Sequence, residues 1–474
     1  MNQSVKFCGL SATIERDWGT SLTANAQSAI TSIDRINRLP ASKYFTRLVA
    51  RVSTGGFFEF YELFLAGAVG AALVEAKFLP LTGLAYFVGA GFLGMFFGTS
   101  IFGRVSDRIG RRKGYVYSLL IYSTFTLLMA VSPSALWLDV FRMCAGFGVG
   151  AQLVIIDTYV SEMTPASRRG HYIAFSQFIT YWAVPVVALL AYTLVPTHFL
   201  WAGWRWVVLF GALGSVLVWW IRQGLPESPR WYEEHEQHDK ANAILDQIER
   251  QVERETGPLP PATPSLAPKE EAGQFREIWI PPYRKRTIML IIFNVFQTVG
   301  FYGFAAWVPT LLVSEGVTLL HSLFYTFLIA IFNPLGPVIG MYMSDRWERK
   351  WQIVLVSLGI AASGVIFSFM RIPLWIVVVG VVITLLNNWF STLFHSYQAE
   401  LYPTRIRATG VGFTYSWSRL SSAFTGFAIV ALLKAFGVGG VFAFISIAMV
   451  IVATVIGTMG PATNRRNLEE ISAV

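Results

Sequence analysis

The sequence predicts an all-α membrane protein with twelve transmembrane helices in two pseudo-symmetric bundles of six. Three observations predict it. Hydrophobic residues make up 54% of the 474-residue chain and charged residues only 14%, against about 25% charged in a soluble domain. Apolar blocks of about 20 residues recur along the whole length, which is what a helix needs to cross a bilayer. Most of the 37 lysines and arginines fall in segments that alternate regularly between the blocks, and such segments belong on the cytoplasmic side. Lys77, Arg371 and Lys434 lie near the opposite ends, and Arg142, Arg205 and Arg419 lie within blocks. The net charge of +9 is therefore a topology signal rather than a nucleic-acid footprint.

The twelve expected spans are 48–75, 82–103, 114–132, 135–159, 171–195, 204–222, 287–313, 319–343, 351–370, 373–398, 408–433 and 438–459. An even number puts both termini on one side, and the charge pattern makes that side cytoplasmic. Five regions follow: a cytoplasmic N-terminal segment 1–44, a six-helix bundle 45–222, a cytoplasmic linker 223–286, a second bundle 287–460 and a tail 461–474. The linker opens with the charged helical stretch WYEEHEQHDKANAILDQIERQVERE. It continues into GPLPPATPSLAPKEE, whose prolines forbid a regular helix. Residues 1–40 are polar, and the first span is too long for a cleaved signal sequence. Cys8 and Cys144 are not expected to pair, and no metal-ligand spacing exists.

The two bundles share residues at a fixed offset. Asp107 and Arg108 recur as Asp345 and Arg346; Glu162, Pro165 and Arg169 recur as Glu400, Pro403 and Arg407. Each pair is 238 residues apart. Five pairs in register point to duplication, and two parallel six-span repeats with a site between them at mid-membrane form a known transporter architecture.

The loop GRVSDRIGRRK (103–113) resembles the signature loop of the major facilitator superfamily. Gly103 permits close helix approach, Asp107 can cap a neighbouring helix or pair with a basic group, and Arg108, Arg111 and Arg112 anchor the loop to an anionic leaflet. The second copy, MSDRWERKW (343–351), has Glu348 in place of the glycine at 110. Further motifs are similar to those of the sugar-porter-like group: FRMCAGFGVGAQ (141–152), SEMTPASRRG (161–170), AELYPTRIRATG (399–410), GWRW (203–206), PESPRW (226–231) and the tail MGPATNRRNLEEIS. The resemblance covers residues 45–472 and is to metabolite:proton symporters of that group, near the niacin-type and aromatic-acid-type carriers. It implies alternating access and gating roles for Asp107, Arg108, Arg111, Arg112, Glu162, Arg169, Asp345, Arg346, Glu400 and Arg407. The seventh span, NVFQTVGFYGFAAWVP, lacks the Gln-Gln…Asn cluster of true sugar porters. The fifth span lacks the Gly-Pro pair of drug antiporters, although it contains Pro185.

Two glutamates sit three residues apart in GFFEFYELFLAG (56–67), so a helix brings Glu59 and Glu62 to one face. They lie roughly 12 and 16 Å beyond Arg51 along the span. An ionised group there costs at least about 2.5–3.5 kcal/mol and needs a partner, water or a proton. The resemblance aligns Glu62 with a proton-carrying acid and Arg142 with the arginine that pairs with it. Glu59 has the spacing of the second acid in aromatic-acid carriers, or else faces water or the backbone. Arg419, about 18 Å into span eleven, needs an anion, which is either a protein acid or a carboxylate substrate held bidentately. The resemblance places His395 and Gln177 in the cavity. Asp157 is the repeat mate of His395, and Gln297 lies in span seven. Nearby aromatics (Trp182, Phe301, Tyr302, Trp389, Tyr415 and Trp417) favour a flat ligand or are packing.

The expected function is proton-coupled uptake of a small organic acid, aromatic or heteroaromatic, across the bacterial inner membrane. Protons are the coupling ion and no other cofactor is expected; the partners are an anionic small molecule and membrane lipids, the protein acting as a monomer without nucleic acid. A sugar or polyol symporter and a proton-driven exporter are the alternatives. A transporter-like nutrient sensor is a different class. No nucleotide loop, nucleophile motif or metal cluster points to an enzyme.

Overall fold

The computed structural model of the protein describes residues 30–214, 225–262, 274–343 and 346–463. The first four spans are unbroken helices: Lys43–Glu75, Leu81–Ile109, Arg111–Ala130 and Ala135–Met163. Three later spans are interrupted, each for the same reason. The fifth stops at Tyr181 and resumes as Ala183–Leu194; the seventh stops at Ala305 and resumes as Val308–Ser314; the eighth stops at Ala330 and resumes as Leu335–Met343. Tyr181, Ala305 and Ala330 each lie four residues before a proline (Pro185, Pro309 and Pro334). A proline ring collides with the carbonyl four residues back and removes a backbone donor, so the helix breaks there.

Nine helices among the described residues are long and apolar enough to cross a membrane. The twelve-span fold accommodates that number. The helix Thr404–Met459 contains spans eleven and twelve and reverses at Gly437 (φ 66°, ψ −165°), a conformation suited to glycine. The third span, Arg111–Ala130, begins with three basic residues and is less apolar. Only Gly203–Ala212 of the sixth lies in a described helix. Cys8, Asp345 and the tail motif beyond Thr463 lie outside the described residues.

Spans two and four are in the closest contact, and glycines make that possible. A Cβ on Gly146 would collide with the Gly91 carbonyl, on Gly150 with Met95, on Gly94 with Met143 and on Gly98 with Phe147. The intervening Gly148 faces the other way, where a Cβ would lie 2.6 Å from the Tyr122 nitrogen of span three. The run Gly146-x-Gly148-x-Gly150 thus seats the fourth span against two neighbours at once.

On the linker side, residues after the sixth span form helices Pro229–Glu234 and His238–Thr256. A short N-terminal helix, Ser32–Asn37, docks on them. Arg35 meets Asp246 at 2.6 Å and Glu249 at 2.7 Å, and Arg38 meets Glu249 at 2.8 Å. Burial works against ionisation of Glu249, yet Arg35 and Arg38 outweigh it and hold that carboxyl below its usual range.

The glycine contacts give a direct test. Gly150→Val pushes a side chain into Met95 and is expected to cost about 1–3 kcal/mol or more through overpacking. Gly412→Ala, where nothing lies within 4 Å of the added carbon, is expected to be neutral or stabilising by up to about 1 kcal/mol. Thermal unfolding of the detergent-solubilised variants distinguishes the two.

Candidate functional site

Glu62 and Arg142 meet in the interior of the first bundle, 0% and 2% exposed. One guanidinium nitrogen donates to Glu62 Oε1, and the other donates to the Glu62 backbone carbonyl at 2.9 Å. The Arg142 guanidinium also lies over the Phe87 ring, 5.2 Å from its centroid. Gly91 makes room for it, since a Cβ there would lie 2.8 Å from Arg142 Nε. The neighbouring Tyr61 hydroxyl donates to the Val207 carbonyl at 2.7 Å, which fixes the rotation of span one against span six.

Glu59 is also buried, so the water-facing position at the mouth of the protein is not the one it occupies. It lies within electrostatic reach of Asp157 and Arg419, which joins span one to spans four and eleven. Its Oε1 and the Oε2 of Glu62 are both buried without a hydrogen-bond partner among the described residues.

Arg419 is buried in the second bundle, but its contacts differ from the protein-acid pairing weighed above. Its guanidinium donates to the hydroxyls of Tyr302, at 2.7 Å, and Tyr415, at 3.1 Å. Its Nε is buried without a partner. Phenol hydroxyls satisfy donors but carry no charge, so among the described residues the cation has no hydrogen-bonded counter-ion.

His395 stacks on Phe394 (4.2 Å) and meets Tyr415 edge-on (5.3 Å). It and its repeat mate Asp157 are both exposed, although each lies on an inner helix. Gln177 and Trp389 are half-buried, and Gln297 is buried. Trp182 and Trp417 instead pack on Phe178 and Phe413.

The two bundles touch at the end away from the linker. A Cβ on Gly67, late in span one, would lie 2.8 Å from the Ala305 carbonyl of span seven. One on Gly426, late in span eleven, would lie 3.4 Å from the Ala85 Cα of span two. Tyr192 and Phe324 meet at 5.2 Å between spans five and eight. Spans one and eleven start on the linker side, so their late residues lie on the far side. The exposed Asp157 and His395 belong to the linker-side halves of spans four and ten. The central polar cluster is therefore closed on one side and open toward the linker.

At the linker-side rim, Arg111 pairs with Asp107 and, at 3.2 Å, with Glu162. Arg349 pairs with Glu400. The second pair repeats the first at the 238-residue offset, and Arg349 was legible by applying that offset to Arg111. Tyr159 and Tyr397, likewise 238 apart, donate to the carbonyls of Pro226 (2.7 Å) and Pro461 (2.9 Å). The cap of span three is not Asp107 but Glu227 of PESPRW, whose carboxylate accepts from the Arg112 nitrogen at 3.1 Å. Burial pushes the Glu227 carboxyl up, and the backbone donors of Arg112, Ser228 and Arg111 pull it partly back. Arg108 and Arg346 are exposed, Arg169 is half-buried, and Arg407 Nε donates to the Tyr402 carbonyl at 3.4 Å. Tyr181 was not singled out from the sequence. It packs edge-on against Phe60 of span one, ring centroids 5.0 Å apart, and lies within electrostatic reach of Tyr302 and Tyr415, so it joins the same cluster.

Two six-helix bundles around a polar cluster open to one side define a membrane transporter. A family model described as "Sugar (and other) transporter" matches residues 48–474, and the chain belongs to that family of the major facilitator superfamily, whose members are transporters rather than enzymes. It is 36% identical over 438 residues to a Bacillus subtilis (strain 168) protein named for metabolite transport, YyaJ, covering 92% of this chain and 96% of that one. It is 28% identical to the niacin transporter NiaP of Acinetobacter baylyi (strain ATCC 33305 / BD413 / ADP1), covering 93% and 99%. Its fold is similar to the partially occluded, inward-open xylose transporter XylE from E. coli, with a TM-score of 0.73 at 16% identity over 90% of this chain and 100% of that one.

The Arg419 contacts predict a stability effect. Tyr302→Phe removes an acceptor from a buried cation and is expected to cost about 1.5–3 kcal/mol. Tyr302→Phe with Tyr415→Phe is expected to lower the unfolding temperature further; an unchanged temperature in the double variant would mean that Arg419 is held by other groups.

Proposed function

We propose that this transporter takes up a small organic acid, aromatic or heteroaromatic, together with protons. It would do so across the bacterial inner membrane, with both termini and the linker cytoplasmic. The observation that carries the reading is Arg419: a buried guanidinium beside the cavity, held by two neutral hydroxyls, with one nitrogen unpartnered. A carboxylate entering from the open side supplies the missing charge and can be held bidentately. Tyr302, Tyr415, His395 and Trp389 offer flat surfaces, and Gln177, Gln297 and Asp157 offer polar contacts. The likeness to NiaP supports the same class, since niacin is an aromatic carboxylic acid.

Coupling follows from the Glu62–Arg142 pair. The ionised carboxylate is attracted to the guanidinium, and protonation of Glu62 removes that attraction. A proton bound from one side thus loosens the link between spans one and four, and its release on the other side restores it. Glu59, on the same helix face and in electrostatic contact with Asp157, lies between Glu62 and the open side. The rim pairs Arg111–Glu162 and Arg349–Glu400 hold each bundle together while the bundles rock, the expected gating motion. Lipids surround the spans, and the protein works as a monomer.

The test is uptake into proteoliposomes with an inward proton gradient, comparing pyridine carboxylates, aliphatic carboxylates and neutral sugars. A carboxylate is expected to accumulate only with the gradient. Glu62→Gln is expected to keep exchange but to accumulate no more than without a gradient. Arg419→Ala is expected to weaken apparent affinity about tenfold to hundredfold. Accumulation in Glu62→Gln would move the proton site elsewhere, and transport of neutral sugars alone would overturn the anion reading.

A further inference from the structure

Behind the Glu62–Arg142 pair, the first bundle holds a run of buried polar atoms with no hydrogen-bond partner among the described residues. They are the hydroxyls of Tyr122, Ser123 and Thr126 on span three, both amide atoms of Gln152 on span four, and one oxygen each of Glu59 and Glu62. All of these residues are 2% exposed or less. Thr126 lies beside Glu62, and Tyr122 is within electrostatic reach of both Glu62 and Glu59. A Cβ on Gly55, one turn before Glu59, would collide with the Tyr115 hydroxyl and the Gln152 amide nitrogen, which puts Gln152 at the Glu59 end. Spans one and three both start on the linker side. With Gly55 beside Tyr115, Glu62 comes level with Tyr122 about two turns further along both helices. Gly214 of span six makes room for the run, since a Cβ there would collide with the Tyr122 hydroxyl and lie 3.1 Å from Ser123 Oγ.

We infer that Tyr122, Ser123 and Thr126 form, with bound water, a proton relay between Glu62 and Glu59 inside the first bundle. A buried hydroxyl left unpaired is costly, and ordered water ordinarily satisfies such groups. Hydroxyl and water oxygens can each accept one proton while donating another. A proton leaving the Glu62 carboxyl is accepted by the first oxygen of the chain as that oxygen passes its own proton to the next. The last proton in the chain reaches the Glu59 carboxylate. One O–H bond forms for each that breaks. Glu62 ends ionised and regains its attraction to Arg142, and Glu59 ends neutral, within reach of Asp157 and Arg419. In the reverse direction a proton arriving at Glu59 from the open side reaches Glu62. Gln152 is an amide, and it holds the Glu59 end of the chain rather than carrying the proton. The two glutamates are thereby joined by a path that the substrate does not occupy. The inference rests on Glu62 being the proton site proposed above.

Time-resolved infrared spectroscopy of the carboxyl stretch after a pH jump tests it, on the full chain in nanodiscs and without a substrate. The Glu62 band is the one lost in Glu62→Gln. Native protein and the control Tyr117→Phe, at an exposed tyrosine of the same span, are expected to protonate Glu62 at the same rate. Tyr122→Phe and Thr126→Val keep the side-chain shape and remove a hydroxyl. Each is expected to slow protonation by about tenfold or more. After the reverse jump, deprotonation is expected to slow by the same factor, because a relay lowers the barrier in both directions. Slowing in one direction only, with a moved midpoint, marks a structural role and overturns the inference. Native rates in both variants, with the Glu62 band present, overturn it as well while leaving Glu62 as the proton site. If no band is lost in Glu62→Gln, the proton-site reading itself fails and the inference falls with it.

Discussion

The buried contact between Glu62 and Arg142 is the constraint around which the first bundle is arranged. Two charges in an apolar interior are costly to bury unless each meets the other. Arg142 meets both the carboxylate and the backbone carbonyl of Glu62, so the pair fixes the depth of span four against span one. That depth requires span two to approach closely, because the arginine passes Gly91. The glycines of spans two and four are thus part of the same device. A side chain at Gly91 would meet the arginine, and one at Gly146 or Gly150 would separate the helices that hold it.

The second bundle repeats the first at a fixed offset but places different residues at its centre. At the 238-residue offset, Glu62 corresponds to Gly300 and Arg142 to Gly380. A Cβ at Gly300 would collide with Met449 and one at Gly380 with Ile329, so apolar packing fills the place of the ion pair. Glu59 corresponds to Gln297, Tyr181 to Arg419 and Gln177 to Tyr415. The central acids Glu59, Glu62 and Asp157 lie in the first bundle, whereas the central cation of the second, Arg419, is held by the hydroxyls of Tyr302 and Tyr415. The rim kept its symmetry: Arg111–Glu162 and Arg349–Glu400 are the same contact twice. A rocking mechanism suits this division, with matched ends that move as units and unmatched middles that bind different partners.

Much of this was legible in the sequence, because membrane helices obey few rules. Span length, the basic loops and the 238-residue repeat located the helices and the bundles. The pairing of Glu62 with Arg142 followed from the rarity of charge in such helices together with the family resemblance. Less visible was what depends on rotation about a helix axis. Arg419 finds Tyr302 and Tyr415 rather than an acid, and Tyr181 joins them, because helix phase decides which aromatic hydroxyl points inward. Of its two expected roles Asp107 takes the ion pair, with Arg111, and Glu227 caps span three because the chain after span six folds back under it, a long-range contact without a local signal. The breaks at Tyr181, Ala305 and Ala330 were encoded by prolines four residues on, but span lengths alone do not reveal them.

The central claim is that protonation of Glu62 shifts the balance between states open to opposite sides. Hydrogen–deuterium exchange by mass spectrometry, on the protein in nanodiscs at two pH values, tests it without a known substrate. In the native protein, exchange at the linker-side ends of spans four and ten is predicted to change with pH opposite in sense to exchange at the far ends of spans one and seven. In Glu62→Gln both patterns are predicted to stay fixed. A full native response to pH in Glu62→Gln would contradict the account.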